Sequence, residues 1–447
     1  MRRMSRSIPI GYALANLPRY TSYPTAPHFG PLGEAEYRGW LAGIRPEDPL
    51  SLYLHIPFCR SLCWYCGCHT SVTRSAERIA RYGAALEAEA ALLAAALPAH
   101  AGVASIHLGG GTPSTLGAAG LRRLFAALRA RFGIRPDAEL AIELDPRVID
   151  EEIVAALAES GVTRASFGVQ DIDPAVQRRI GRLQARETVE QGVAWLRAAG
   201  IRGINLDIMY GLPGQGAAQV AATARFAAEL GASRVAVFGY AHVPWMKPHQ
   251  NAIHTDDLPG ALERLQQAET AEHVLVEAGF QAIGLDHFAR PEDPMAVAAR
   301  AGTLHRNFQG YTTDAAPVLL GLGASSIGGI EAAGYAQNEP NERRWVAAVE
   351  AGELPIRRGR AVTAEDRLRR RCIERVMCDF ALDLAALPAA LVAEVRPALA
   401  PLEADGLIDL TPDLLRVTAE GRRHVRHVAA CFDAYLGTGA GRHSAAV

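Results

Sequence analysis

Short β-rich runs alternate with longer helical stretches from about residue 50 onward, and this alternation constrains the fold more than any other feature. Six such runs are found, at 51–56, 104–108, 140–144, 164–169, 204–209 and 234–238. Helix-forming residues fill the intervening stretches, among them 78–97, 115–132 and 185–200. Strands that alternate with helices are typical of parallel sheets. We therefore predict an α/β fold with a partial (β/α)6 barrel.

Polar, glycine and cysteine residues follow these predicted strands directly. Barrel enzymes carry their chemistry at the carboxyl ends of the strands, so a site is expected there. The first strand is followed by cysteines and the second by a glycine-rich turn at 109–113; the later strands carry Glu143, Asp145, Gln170, Asp171 and Asp207.

The two ends of the chain differ from this middle part. Residues 1–30 are rich in Pro, Tyr, Ser and Arg, which predicts an extended arm that is ordered only if something packs on it. Helical patterns at 364–380 and 388–404, a short hairpin and a final helix at 418–436 indicate a winged-helix-like module. We divide the chain into an N-terminal arm and lead-in (1–48), a barrel domain with extensions (49–360) and a helical C-terminal domain (361–447).

Charge and hydropathy exclude several classes of partner. The net charge of −2 creates no general field that would attract nucleic acid or a membrane surface. No run of about 18 apolar residues exists, so no membrane span is predicted. The N-terminus has a basic start but lacks the apolar core of a secretory signal. We expect a cytoplasmic monomer without nucleic-acid or membrane partners.

Four of the seven cysteines lie within ten residues, at Cys59, Cys63, Cys66 and Cys68. A disulfide framework would spread its cysteines to close loops across the fold. This crowding indicates a metal or redox site in a reducing compartment.

The spacing within this group favours an iron–sulfur cluster. Cys59-x3-Cys63-x2-Cys66 can bring three thiolates to one object, and thiolates are the usual ligands of such clusters. Three ligands leave one iron of a four-iron cube open for a reacting group. Zinc is the alternative: it takes four ligands, usually as two separated pairs, and Cys68 or His69 would have to complete a compact loop.

The motif resembles the signature of the radical S-adenosylmethionine (SAM) superfamily, including an aromatic residue, Tyr65, before the third cysteine. From about residue 18 to the C-terminus the chain also resembles the oxygen-independent coproporphyrinogen III oxidases. That narrower likeness rests on residues 18–26, 53–59, 66–68, 109–113, 168–171, 210–213, 286–291 and 305–313.

The resemblance implies a 4Fe–4S cluster on Cys59, Cys63 and Cys66, with one or two SAM molecules. It implies a 5′-deoxyadenosyl radical that starts the decarboxylation of two propionates of coproporphyrinogen III to vinyl groups, giving protoporphyrinogen IX in haem biosynthesis. An electron donor for the cluster and a terminal electron acceptor are also implied. The alternatives are a radical SAM protein for another tetrapyrrole and a haem chaperone, although that branch lacks the fourth cysteine and the Tyr-rich arm.

The resemblance also implies roles for individual residues. Tyr53, His55 and Cys68 would be catalytic, although a strand tyrosine is more often simple packing. A carboxylate inside an apolar strand, such as Asp207, is costly unless partnered. Substrate handling would involve Arg19, Tyr20, Tyr23, His305, Arg306, Asn307 and Gln309, of which the basic residues suit propionates. The SAM contacts would be Tyr53, Tyr65, Gly110, Gly111, Thr112, Glu143, Gln170, Arg182, Asp207, Ala241 and Ile327.

Overall fold

Six parallel strands form the centre of the molecule, in a computed structural model that describes residues 9–438. Each strand pairs with the next one along the chain, in parallel register. All six predicted runs are therefore confirmed as strands. They are β1 (Leu50–Ile56), β2 (Val103–Gly110), β3 (Ile134–Leu144), β4 (Arg164–Gln170), β5 (Gly203–Tyr210) and β6 (Arg234–Gly239).

Helices connect successive strands and cover the outer face of the sheet. Side-chain caps start several of them: Ser75 accepts a hydrogen bond from the Arg78 amide, and Asp150 accepts one from the Ile153 amide. The three helical stretches predicted above correspond to α1, α2 and α5. The helices are α1 (Ala76–Ala96), α2 (Gly117–Phe132), α3 (Glu151–Glu159), α4 (Pro174–Arg179), α5 (Arg186–Ala198), α6 (Ala217–Glu229) and α7 (Ala261–Glu277).

Burial alternates along the strands with the period of two that a sheet imposes. In β4 the side chains of Ala165, Phe167 and Val169 are buried beneath the helices. The residues between them, such as Ser166, face the interior of the barrel, where they line a cavity. The inner face is therefore polar and the outer face apolar, which prepares the interior to hold a ligand.

The sheet extends beyond both ends of the six-stranded unit without closing on itself, as a partial barrel requires. Val318–Leu322 pairs in parallel with β1, and four short strands follow it: Ile327–Ile330, Gly334–Asn338, Ile356–Ala361 and Gly30–Pro31. At the other end, His287–Ala289 pairs antiparallel with β6 and then with Gln281–Ile283. These additions were not predicted from the sequence.

Short elements outside the main sheet complete the barrel part. Two small pairs stand apart from it, Phe58–Cys59 with Ser71–Val72, and His305–Asn307 with Gly310–Thr312. The remaining α-helices before residue 361 are Gly11–Leu14, Glu34–Ala42, Pro294–Ala301 and Glu342–Glu350. Within residues 9–438, no helix has the length and apolar character needed to cross a bilayer.

The C-terminal part has the predicted order of helix, helix, hairpin and helix, with one further strand. Its elements are Ala364–Asp379, Ala381–Asp383, Ala389–Ala404, Ile408–Leu410, Leu414–Val417 and Val425–Ala430. The predicted helix at 418–436 is wrong, because only Arg422–His424 (a 3₁₀ turn) and Val425–Ala430 are helical. A Cβ at Gly421 would lie 1.9 Å from the Leu407 carbonyl oxygen, so this approach to the preceding hairpin delays the helix.

The N-terminal arm packs against this C-terminal part. Tyr20 and Tyr23 belong to the same buried cluster as Val376, Leu415 and Val428. The Tyr20 hydroxyl donates to Asp433, and the Ala434 amide donates to the Tyr23 hydroxyl at 3.0 Å. The expectation that the arm is ordered by packing is confirmed for its described residues; the basic start of the chain lies outside them.

Candidate active site

The loop that carries the four clustered cysteines leaves β1 and lies over the carboxyl ends of the strands. Cys59, Cys63, Cys66 and Cys68 line one cavity of about 170 Å³, and all four are free thiols. Backbone hydrogen bonds close the loop on itself, from the Ser71 amide to Pro57 and from the Thr73 amide to Cys59. A short turn therefore presents several thiols to one enclosed volume.

Cationic and hydroxyl donors surround two of these sulfurs. The Arg182 guanidinium lies 3.4 Å from Cys63 Sγ, and that of Arg147 lies 3.7 Å from the same atom. The Thr112 hydroxyl points at Cys59 Sγ from 3.6 Å. Burial raises the pKa of Cys59 to about 11, while Thr112 acts in the opposite direction. Such donors stabilise a thiolate, which is the form that binds iron.

Cys66 and Cys68 form a pair of thiols with unequal acidity. A hydrogen bond from Cys68 lowers the pKa of Cys66 to about 6, against the effect of burial. The same hydrogen bond raises the pKa of Cys68 well above its ordinary value. The shared hydrogen bond therefore favours the thiolate form at Cys66 over Cys68.

The donor set fits the cluster that the sequence motif indicates. Cys59, Cys63 and Cys66 are among the four cysteines that line one cavity, together with two guanidiniums and the polar strand ends. Among residues 9–438, no three His, Cys, Asp or Glu side chains are close enough to hold a single metal ion. Three thiols around a cavity instead suit a larger group that uses one face for protein ligands and another for a reacting molecule.

The glycine-rich turn after β2 forms the wall beside the first cysteine. The amides of Gly111 and Thr112 donate to Ile56 and Phe58, so the turn is fixed to the start of the cysteine loop. Gly110 has a φ of +109°, and a Cβ there would lie 2.5 Å from the His55 ring. A Cβ on Gly111 would lie 2.7 Å from the Phe58 carbonyl oxygen. Only glycine permits this close packing of the turn against His55 and the start of the cysteine loop.

Glu143 at the end of β3 is held in its charged form by two donors. It accepts hydrogen bonds from the Gly110 amide at 3.0 Å and pairs with His107 at 3.1 Å. Burial alone would raise its pKa, yet these interactions hold the pKa of Glu143 below its usual value. The carboxylate is thus an oriented acceptor at the cavity wall.

The pKa of Asp207 in β5 is shifted in the opposite direction to that of Glu143. Burial and the nearby Glu143 charge raise the pKa of Asp207 to about 6. Ser166 and Asn205 donate hydrogen bonds to its two oxygens, at 3.0 and 2.8 Å. The expected partners for a carboxylate inside a strand are therefore present, and the group remains available as an acceptor.

Gln170 and Arg182 complete the same wall. Gln170 ends β4 with a φ of +66°, an uncommon conformation for a residue other than glycine. Such backbone strain costs about 1–3 kcal/mol and is concentrated at functional sites. Arg182 is buried, donates to the Gly168 carbonyl and lies 3.4 Å from Asp145. Both side chains line the cavity next to the cysteines.

Tyr53 and His55 lie one layer behind this cavity and do not line it. His55 Nε2 contacts the His69 carbonyl oxygen at 2.8 Å and must therefore carry the proton. Its Nδ1 then accepts from the Tyr53 hydroxyl at 3.0 Å. Burial lowers the pKa of His55 to about 4, so the ring is neutral. This chain of hydrogen bonds supports the Gly110 turn, and a direct catalytic role for either residue stays a prediction.

Other predicted site residues are more dispersed. Tyr65 and Thr112 line the cysteine cavity, whereas Ala241 lines a separate cavity beside α7. Ile327 begins a strand beyond β1 and lines none of the described cavities. Tyr20 and Tyr23 are buried in the core that joins the arm to the C-terminal part, so they have a packing role there. His305, Arg306, Asn307 and Gln309 all line cavities next to the barrel interior.

A second cavity continues the first one into the barrel. It measures about 190 Å³ and shares Glu143, Ser166 and Asp207 with the cysteine cavity. Asn307 and Gln309 line its far side. The cysteine cavity and the cavity that Asn307 and Gln309 line are therefore neighbours that share three polar wall residues.

Sequence reasoning missed several residues that hold the site together. The loop after β6 fixes the cysteine loop: Lys247, His249 and Gln250 each contact a carbonyl oxygen, of Cys68, Cys66 and Tyr65 respectively. No local pattern marks these residues.

His107 could have been predicted from the sequence, because it lies two residues before Gly109 in β2 and so faces the interior. Arg147 could have been predicted in the same way, because it follows the strand-end residue Asp145.

Comparisons with known proteins agree over nearly the whole chain. A sequence profile of the radical SAM superfamily matches residues 53–227, and one of the HemN C-terminal domain matches residues 362–424. An oxygen-independent coproporphyrinogen III oxidase from Bradyrhizobium diazoefficiens is 47% identical over 99% of this chain and 100% of its own length. Its counterpart from Escherichia coli is 42% identical over 94% of this chain and 93% of its own.

A solved structure extends the agreement to three dimensions. Coproporphyrinogen III oxidase (HemN) from Escherichia coli, described as a radical SAM enzyme, superposes with a TM-score of 0.89 at 41% identity. The superposition covers 94% of this chain and 98% of that one. The partial barrel and the C-terminal part are thus common to both molecules.

Proposed function

This chain belongs to the oxygen-independent coproporphyrinogen III oxidases of the radical SAM superfamily, and we infer from that membership that it converts coproporphyrinogen III to protoporphyrinogen IX. Two propionate side chains each become a vinyl group without molecular oxygen, a step of haem biosynthesis. The observation that carries the assignment is the single cavity shared by the cysteine turn and the polar ends of β2 to β5.

The cofactors are a 4Fe–4S cluster and SAM. We propose that Cys59, Cys63 and Cys66 hold three irons and leave the fourth for SAM. When bound, the two groups supply a 5′-deoxyadenosyl radical through one-electron cleavage of the S–C5′ bond of SAM. The cysteine loop forms one side of the cavity and so would limit the access of water to this reactive species.

The strand-end residues would bind SAM through complementary charge. We propose that the Arg182 guanidinium receives the methionyl carboxylate and that the oriented Glu143 carboxylate accepts from the ammonium or hydroxyl groups of SAM. Asp207, which lies at the boundary with the barrel cavity, would accept from a second hydroxyl. The amides of Gly110–Thr112 already donate within the protein, so this turn would contribute carbonyl contacts at the cavity wall. Tyr65 and Gln170 line the same cavity and are further proposed SAM contacts. Tyr53, Ala241 and Ile327 lie outside that cavity, and their contact with SAM stays a prediction.

The substrate would enter from the side of Asn307 and Gln309. For each propionate, the β-carbon loses a hydrogen atom, the carboxylate leaves as CO2 and one electron leaves the substrate. A one-electron acceptor and a reductant for the cluster, both outside this chain, are therefore part of the proposal. Cys68 lines the same cavity as the three proposed ligands and lies outside the ligand set.

An anaerobic product assay tests the proposal. Reconstituted protein with reductant, SAM and coproporphyrinogen III should release CO2 and form a divinyl product, whereas a Cys63→Ala variant should form none. Cluster-replete protein that forms no vinyl product would contradict the proposed reaction. Stoichiometric haem binding by such inactive protein would instead support a haem chaperone.

A further inference from the structure

An aspartate–histidine pair at the wall of the barrel lies outside the contacts proposed for the cluster, SAM and the substrate. His287 begins the short strand that pairs with β6, and its side chain lines the barrel cavity of about 190 Å³ together with Glu143 and Asp207. Asp286, the preceding residue, lines the separate cavity beside α7 instead. Only the imidazole of this pair therefore faces the space in which the reaction is proposed.

Contacts on several sides hold the imidazole in one orientation. His287 Nδ1 lies 2.7 Å from Asp286 Oδ1. The rings of Phe238 and Tyr311 pack edge-on against it, at interplanar angles of 84° and 80°. The backbone is fixed as well, because the Val237 amide donates to the Asp286 carbonyl at 2.7 Å. The ring is therefore a rigid group at the cavity wall.

Asp286 determines which nitrogen of the ring is available to a ligand. Against the effect of burial, the interactions with His287 and with nearby arginines lower the pKa of Asp286 to about 2, so its carboxylate is an acceptor. Nδ1 then carries a proton, and the lone pair of the neutral ring is on Nε2. His287 is only 8% exposed, and no described residue donates a hydrogen bond to Nε2. A buried acceptor without a donor is costly, so this nitrogen indicates a ligand that donates.

Gly310 leaves the edge of the ring that carries Nε2 uncovered. Its φ is +120°, and a Cβ there would lie 3.3 Å from His287 Cε1 and 3.6 Å from His287 Nε2. A larger side chain would therefore crowd this edge. Gly310 belongs to the same short hairpin as Asn307 and Gln309, beside which the substrate is proposed to enter. The free edge of the imidazole thus lies next to the proposed substrate side.

The proposed reaction creates positive charge on a group that can donate to such a nitrogen. When the β-carbon of a propionate gives a hydrogen atom to the adenosyl radical, 5′-deoxyadenosine forms and a radical remains on the carbon bonded to the pyrrole ring. Transfer of one electron to the external acceptor turns this radical into a cation that is shared with the pyrrole nitrogen. The bond to the carboxylate then breaks, its electron pair forms the vinyl double bond, and CO2 leaves. The pyrrole N–H keeps its proton, and a hydrogen bond from it strengthens while the ring is positive.

We propose that His287 is a catalytic residue that accepts a hydrogen bond from the pyrrole N–H of the ring being decarboxylated, and so stabilises the cation formed in the oxidation step. Asp286 is a positioning residue that keeps Nε2 as the acceptor. The inference rests on the proposed function, because it takes a macrocycle with pyrrole N–H groups as the substrate.

Measuring the two halves of a single turnover separately tests this role. Pre-reduced, cluster-replete protein is given SAM and coproporphyrinogen III anaerobically, and 5′-deoxyadenosine is quantified beside CO2 and the vinyl product. His287→Asn retains a donor for Asp286 but has no atom at the position of Nε2. It should form 5′-deoxyadenosine at the wild-type rate, whereas vinyl formation should fall about 100-fold, as when one stabilising hydrogen bond is lost from a transition state. An organic radical on the substrate should persist in its EPR spectrum.

Further variants separate this role from packing. His287→Gln can place its amide oxygen near the position of Nε2, so it should form the vinyl product about 10-fold faster than His287→Asn. Asp286→Asn can donate to Nδ1 and so move the ring proton to Nε2; it should behave like His287→Asn, and it gives the same measurement if that variant is unstable. His273→Ala is the control and should match the wild type, because His273 is 72% exposed on α7 and pairs with Glu277. Thermal unfolding checks that each variant folds.

The possible outcomes separate this inference from the proposed function. If the wild type forms the divinyl product and His287→Asn forms it equally fast, His287 is not the acceptor, and the proposed function stands. If His287→Asn loses 5′-deoxyadenosine and vinyl product in equal proportion, the residue does not act on the cation, which also overturns the inference. A wild type that forms 5′-deoxyadenosine but no vinyl product would contradict the proposed reaction and this inference together.

Discussion

Charged side chains next to the cysteines should influence the midpoint potential of the cluster. Arg147 lies 3.7 Å from Cys63 Sγ and is itself held by Asp145 at 2.6 Å. Reduction adds negative charge to a cluster, so a nearby cation stabilises the reduced form and raises the potential. Arg147→Gln should therefore lower the midpoint potential, on the order of tens of millivolts.

An EPR-monitored redox titration of the reconstituted protein measures this shift. Arg122→Gln is the control, because Arg122 pairs with Glu159 on the surface. Equal potentials for Arg147→Gln and the wild type would show that Arg147 has no electrostatic effect on the cluster.

A buried carboxyl in α1 should make stability depend on pH. Burial raises the pKa of Glu89 to about 7, although Gly323 and Asn338 donate to it at 2.7 and 2.5 Å. The folded state then holds this proton more tightly than the unfolded state. The protonated Glu89 carboxyl stabilises the folded state fully below pH 4.5, and this stabilisation is lost as the pH rises through about 7. The total loss is about 3 kcal/mol in the free energy of unfolding.

Urea unfolding at pH 5 and pH 8 checks the sign. The wild type should lose stability between these values relative to Glu89→Gln, which has no proton to release. Glu87→Gln, on the same helix and paired with Arg123, should follow the wild type. Parallel pH profiles for Glu89→Gln and the wild type would contradict the assignment.

At the scale of elements, the loop after β6 acts as a clamp on the cysteine loop. Gln250 is fully buried and bonds three backbone groups: the Val243 amide and the carbonyls of Ala241 and Tyr65. Gln250→Ala leaves these groups without a partner, at a cost of about 1–3 kcal/mol each for a buried group. We expect faster loss of iron to a chelator, followed by the decay of cluster absorbance.

Asn251→Ala is the matched control, because Asn251 is exposed and its side-chain amide donates to the nearby Pro248 carbonyl. It should lose iron at the wild-type rate. A Gln250→Ala protein that retains its cluster as long as Asn251→Ala would show that the clamp is dispensable.

At the scale of the whole molecule, the arm joins the first and last parts of the chain. Tyr23 is 1% exposed and packs at 5.6 Å from the Tyr435 ring. Tyr23→Ala should lower the free energy of unfolding by about 3–5 kcal/mol, as for other large buried aromatics. Tyr23→Phe should cost about 1–3 kcal/mol, because the Ala434 amide loses its acceptor.

Denaturant unfolding of the three proteins gives these differences. Leu14→Ala in the same arm is the control, since Leu14 is 59% exposed and should matter by less than about 0.5 kcal/mol. A Tyr23→Ala protein as stable as Leu14→Ala would mean that the arm contributes no packing energy.

Local features of the sequence were sufficient to predict the six barrel strands, the cysteine turn and the acidic or amide residues at strand ends. Each depends on spacing or periodicity over a few residues: period two for β4, and intervals of three and two residues between the cysteines. The three-part division of the chain at residues 48 and 360 stays a prediction. The final helix was predicted too long, because the approach of Gly421 to Leu407 is a contact between elements.

The sequence alone therefore determined which local structures form and which cysteines gather in one turn, because those follow from neighbours along the chain. Only the tertiary structure decided that Val318–Leu322 would join β1, that Gln250 would bind the Tyr65 carbonyl, and that arginines from four distant segments would line one cavity. These contacts arise where separate segments bury apolar surface against one another, and no local pattern encodes which distant segments will meet.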